Sequence, residues 1–64
     1  MTKEFLITGN TRLEAMEKLL SDISKYTSDI TKWEFKTPPE AQQYEGKSKR
    51  LAGKWRAYAR ISFQ

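Results

Sequence analysis

From Lys54 to Gln64 apolar and polar residues alternate without a break. Trp55, Ala57, Ala59, Ile61 and Phe63 fall on one side of an extended chain; Lys54, Arg56, Tyr58, Arg60, Ser62 and Gln64 fall on the other. Period two marks a half-buried strand of an antiparallel sheet, with one face feeding a core and the other displaying cations around a tyrosine. Earlier in the chain the period changes. Leu13, Met16, Leu19, Leu20, Ile23 and Tyr26 recur at three- and four-residue intervals, which predicts an amphipathic helix of about four turns. Thr11-Arg12-Leu13-Glu14 has the form of a capping box at its start. Glu14 and Lys18 make a favourable i,i+4 pair on its polar side, and Thr27-Ser28-Asp29 ends it.

Two further strands are expected. Lys3 to Thr8 is one, and its consecutive Phe5, Leu6 and Ile7 imply a strand in the middle of a sheet or covered on both faces. Gly9-Asn10 closes it. Ile30 to Lys36 is the other, with Trp33 and Phe35 on one side. Thr37-Pro38-Pro39 should stop it, because proline cannot donate to a ladder. Residues 38–53 show no apolar face and read as a mobile hairpin loop, within which Ala41 to Tyr44 could extend a strand or form a short helix, with turns at Glu45-Gly46 and Ala52-Gly53. The expected architecture is a single α+β domain over residues 1–64. Its order is strand-helix-strand-strand, with one helix packed on a three-stranded antiparallel sheet. Trp33 and Phe35 should join the apolar side of the closing strand beneath the helix, with the second and third strands forming a long hairpin.

Composition narrows the functional classes. A chain of 64 residues supports one small core, and oligomerisation is a common supplement. There is no cysteine and no histidine. Disulfides, thiolate metal sites and the commonest general base are therefore absent. The lack of cysteine is compatible with the cytoplasm, and no apolar run approaches the length of a membrane span. The net charge of +4 is unevenly placed. Lys47, Lys49, Arg50, Lys54, Arg56 and Arg60 face only Glu45 in residues 44–64, whereas residues 1–43 carry one more acid than base. That asymmetry favours an anionic partner such as nucleic acid, a phosphate-bearing ligand or an acidic protein surface.

The order of elements and several landmarks resemble the dodecins, small strand-helix-strand-strand proteins that assemble into hollow dodecamers and hold flavins. Ile7-Thr8-Gly9-Asn10-Thr11 is similar to the end of the first dodecin strand. Ile30-Thr31-Lys32-Trp33-Glu34-Phe35 is similar to the segment whose tryptophan stacks on the isoalloxazine ring. Trp55 to Phe63 is similar to the closing strand. The resemblance implies a homo-oligomer, a flavin as the possible cofactor and Trp33 as the stacking residue. Two positions depart from the family: Arg56 stands where dodecins carry a glutamine beside the flavin, and Thr37-Pro38-Pro39 replaces their Arg-Gly turn.

Candidate chemistry lies on the polar side of the closing strand. Arg56, Tyr58 and Arg60 are spaced two apart, about 7 Å between neighbours on one face. Such a row can grip phosphates and stack a base, and tyrosine and arginine are also enriched at protein interfaces. Trp33 is either a core aromatic in phase with Phe35 or a stacking platform. Scattered carboxylates predict no catalytic residues and no metal site.

Three functions follow from the residues and the resemblance. The first is a non-enzymatic homo-oligomer that sequesters a flat anionic ligand, flavin or nucleotide, through Trp33, Arg56, Tyr58 and Arg60. The second is a small basic nucleic-acid-binding or regulatory protein of the kind phages and mobile elements encode. It would use Lys47, Lys49, Arg50, Lys54, Arg56, Tyr58 and Arg60. The third is a modulator or inhibitor that binds another protein.

Overall fold

A computed structural model of the chain describes residues 1–46, 49 and 52–64. Its elements are β1 (Thr2–Gly9), α1 (Arg12–Thr27), β2 (Trp33–Gln43) and β3 (Trp55–Phe63). β3 lies between β1 and β2 and is antiparallel to both. The chain thus adopts the expected α+β architecture, one helix on a three-stranded antiparallel sheet.

The alternating strand β3 takes the centre, and its inner side is small where the helix crosses it. Ala57 and Ala59 are fully buried, and Ile61 beside them is one of the two largest side chains completely removed from solvent. Leu19 of the helix is the other. Phe5, Ala15 and Ile23 complete the buried apolar set. Tyr26 closes one end of this core. Its ring stands edge-on to Phe5 and to Phe63, with centroids 5.6 Å away in each case.

The helix begins as its capping box predicts. The Glu14 amide donates to the Thr11 hydroxyl oxygen at 3.0 Å, and the Glu14 carboxylate reaches back to the Asn10 amide at 3.1 Å. Lys18 pairs with the same carboxylate at 3.0 Å. Replacing Thr11 by alanine is expected to lower stability by about 1 kcal/mol, measurable by urea titration. The Lys18 ammonium and the Asn10 amide hold the Glu14 carboxyl below its ordinary value. A carboxylate depressed on folding adds stability above its unfolded pKa, and that increment fades as pH falls through the native value. The melting temperature of Glu14→Gln should therefore lie below wild type at neutral pH and converge with it in acid.

The buried line of α1 is Ala15, Leu19, Ile23 and Thr27, a strict i,i+4 series. This is narrower than the apolar stripe in the sequence, and it corrects the expected inner set. Leu13 and Leu20 lie on the flank of that line and stay exposed, whereas Ala15, absent from the expected stripe, is fully buried. A helix resting on alanines comes down close to the sheet, and its small residue then becomes the point of contact.

β1 corrects a second expectation. Its consecutive apolar residues do not place it in the middle of the sheet; it is an edge strand. Phe5 points into the core, while Leu6 projects from the uncovered face at 56% exposure.

β2 corrects a third. It starts at Trp33, not Ile30, and it does not stop at Thr37 but runs through Pro38 and Pro39 to Gln43. The prolines are accommodated because β2 is the opposite edge and its ladder is irregular there. Trp33 pairs with Phe63 and Phe35 with Ile61. The register then slips between Phe35 and Thr37, and again between Thr37 and Glu40. One slip of a residue reverses the faces of everything beyond it. The second slip restores them, so Ala41 returns to the inner side opposite Ala57. Of the segment expected to be a loop, residues 38–43 are strand. The ladder continues in a Tyr44 amide bond to the Lys54 carbonyl at 2.8 Å. Gly53 adopts a φ of +76°, the left-handed region that favours glycine, in the turn before β3. Lys47, Ser48, Arg50 and Leu51 lie outside the described residues, and with them two of the expected nucleic-acid contacts.

Candidate binding face of the sheet

Because the odd-numbered residues of β3 are covered by α1, the even-numbered ones emerge on the opposite, uncovered side of the sheet. The registers assemble them into rows. Arg56 lies between Thr8 of β1 and Gln42 of β2, Tyr58 between Leu6 and Glu40, and Arg60 between Glu4 and Thr37. The structure therefore brings Arg56, Tyr58 and Arg60 together on one face, as the alternation requires. Tyr58 is half-buried by its neighbours while both arginines are exposed.

Beyond Arg56 the chain adds a residue that the sequence did not single out. The Tyr44 ring lies 5.8 Å from the Arg56 guanidinium, within cation–π range. Tyr44, Arg56, Tyr58, Leu6 and Gln42 line an open groove of about 850 Å³, with Glu40 and Glu45 on its border. Tyr44 and Glu40 belong to the segment taken for a loop. The signal that would have found them is the renewed alternation of Glu40-Ala41-Gln42-Gln43 after the prolines, with Ala41 in phase with the core.

Trp33 is elsewhere. It pairs with Phe63, at the opposite end of β3 from Arg56, and on the helix side of the sheet. Its ring stands edge-on to Phe35 at 5.1 Å, and both remain more than one-third exposed. Within one chain, Trp33 and Arg56 do not share a site.

The charge of the uncovered face is balanced. Arg56, Arg60 and Lys36 are the cations of the strands on that side, and Glu4, Glu34 and Glu40 are the carboxylates. Glu4 lies directly across from Arg60, and Lys36 pairs with Glu34 at 3.7 Å. Among the described residues of the strands, positive charge is therefore not in excess on this face. Lys54 donates to the Asn10 side chain and ties the hairpin to the β1–α1 turn. Lys49 is exposed in the turn region before β3.

Among the described residues no group of three or more acidic side chains is placed to hold a metal ion. No described helix is long and apolar enough to cross a membrane. Fold and face together define a small α+β protein with one open, mixed-charge sheet surface. A scan against family models, a search of the curated proteins and a search of the solved structures returned no match.

Proposed function

We propose that this chain is a non-enzymatic binding protein that modulates a partner protein through the uncovered face of its sheet. The observation that carries this reading is the make-up of that face. A leucine and a tyrosine stand side by side at its centre, Leu6 beside Tyr58, ringed by arginines and carboxylates in near-equal number. An apolar and aromatic centre with a charged rim is the anatomy of a protein–protein interface. A polyanion such as nucleic acid would instead be met by a surface of one sign, since its affinity comes from neutralising phosphates.

The test is affinity capture followed by a binding titration of the recovered partner. Tyr58→Ala should weaken binding by about 30-fold, the scale of an interface hot spot. Arg60→Glu should weaken it too, and Trp33→Ala should not. Binding to a mixed-sequence oligonucleotide that collapses between low and moderate salt, with no protein partner sensitive to Tyr58, would overturn the reading.

A second reading rests on the groove. The Tyr44 and Tyr58 rings with Arg56 between them suit a flat ligand that carries a phosphate, such as a flavin or nucleotide. In a dodecin-like assembly, Trp33 would meet that ligand only if another subunit brought it there. Quenching of tryptophan fluorescence by added flavin mononucleotide, abolished in Arg56→Ala, would favour this reading over the first.

A further inference from the structure

The two edges of the sheet are built differently. The outer edge of β2 carries Pro38 and Pro39 and two register slips, devices that deny pairing to another strand. β1 has none of them. It runs from Thr2 to Gly9 in one unbroken register against β3, without proline or bulge.

The ladder also shows which backbone groups β1 leaves open. Met1 and Phe63 exchange both of their backbone bonds, at 2.8 and 2.9 Å. Hydrogen-bonded pairs alternate in an antiparallel ladder, so the odd-numbered residues of β1 face β3. The Gln64 amide bond to Lys32 on the other side of β3 agrees, since it sends the even-numbered residues of β3 toward β2. Thr2, Glu4, Leu6 and Thr8 consequently direct their N–H and C=O groups away from the sheet. No side chain among the described residues bonds to them.

We propose that β1 pairs antiparallel with β1 of a second copy, about a two-fold axis through Leu6, to form a continuous six-stranded sheet. The charge pattern selects that register. Centred on Leu6, the pairing sets Leu6 against Leu6 of the other copy, Phe5 against Ile7, and Glu4 against Thr8, with about six new backbone hydrogen bonds. Centred on Glu4, it would oppose two carboxylates; centred on Phe5, it would press Glu4 against Leu6. The Leu6 register joins like with like and leaves Glu4 beside a polar neighbour, with Lys3 across from Gly9. It also covers one flank of the leucine that the fold leaves 56% exposed, while its outer side stays on the uncovered face.

The flank of α1 above this edge supports the same arrangement. Glu17, Lys18, Ser21, Asp22 and Lys25 overhang β1 beside Ile7. Each such flank carries two acids, Glu17 and Asp22, and two bases, Lys18 and Lys25, so two of them running antiparallel do not repel through net charge. The resulting sheet, in the order β2-β3-β1-β1-β3-β2, carries two Arg56–Tyr58–Arg60 rows on one continuous surface. This pairing does not depend on what that surface binds.

The experiment compares two single-cysteine variants of a protein that has no cysteine of its own. Leu6→Cys should oxidise to a symmetric disulfide dimer, because residues paired across an antiparallel ladder fall within disulfide reach. Thr37→Cys on β2 should stay monomeric. Light scattering of the wild type should show a dimer. Leu6→Lys, which sets two ammonium groups against each other at an exposed position, should show a folded monomer. Amide exchange should protect Glu4, Leu6 and Thr8 in wild type and release them in Leu6→Lys. A wild-type monomer at millimolar concentration would overturn the proposal, as would a dimer unaffected by Leu6→Lys.

Discussion

Leu19→Ala is expected to leave most of the molecules unfolded at room temperature. Leu19 is fully buried, and with Ile61 it is one of the two largest side chains wholly enclosed. The remaining enclosed core contains three alanines, so little else can close over the gap. A leucine truncated at such a site costs about 2–5 kcal/mol. A core of this size rarely supplies more than about 3–5 kcal/mol in total. The far-ultraviolet circular dichroism of Leu19→Ala should lose its helical minima, and any remaining transition should be broad. Leu13→Ala is the control. It belongs to the same apolar stripe in the sequence but is 68% exposed, and its melting temperature should stay close to wild type. Equal losses from the two variants would mean that the helix is turned differently about its axis.

The second large effect is expected at Gly9, where β1 ends against the start of α1. A Cβ placed there would lie 2.7 Å from the Ala15 amide nitrogen and 2.9 Å from its Cα. Both are backbone atoms and cannot turn aside as a flexible side chain would. Gly9→Ala must move the helix away from the sheet and loosen the contacts of Ala15 and Leu19 with Ala57 and Ala59. Overpacking of this kind costs about 1–3 kcal/mol and sometimes more. The midpoint of urea unfolding should fall accordingly, and Gly9→Val should fall further. Gly53→Ala is a useful contrast: that glycine meets no atom within 4 Å, so its cost comes from its positive φ alone. A Gly9→Ala variant as stable as wild type would show that the strand and helix stand further apart.

Much of the fold was legible because local signals were strong and agreed with one another. The capping box located the first turn of α1, and strict alternation located β3 and assigned its faces, so Arg56, Tyr58 and Arg60 were placed correctly on one surface. The rest failed where a local pattern permits two answers. A run such as Phe5-Leu6-Ile7 fits a covered central strand or an edge strand with one exposed leucine. Two prolines end a strand at the centre of a sheet but ride on its edge when the register slips around them. Tyr44 was missed for the same reason, since its place beside Arg56 depends on how many residues the β2 ladder absorbs before it.

Charge shows the limit most clearly. Counting along the chain gives a basic C-terminal third, which points toward an anionic partner such as nucleic acid, a phosphate-bearing ligand or an acidic protein surface. Folding sets Glu4, from the first strand, across from Arg60, and Glu40, from the second, beside Tyr58. The sequence by itself determined which side chains of β3 share a face, because in an unbroken strand that depends only on the twofold period. The tertiary structure alone decided which strand is central, which edge stays open and what stands beside each arginine. Those are properties of pairing between distant segments, and no local periodicity encodes them.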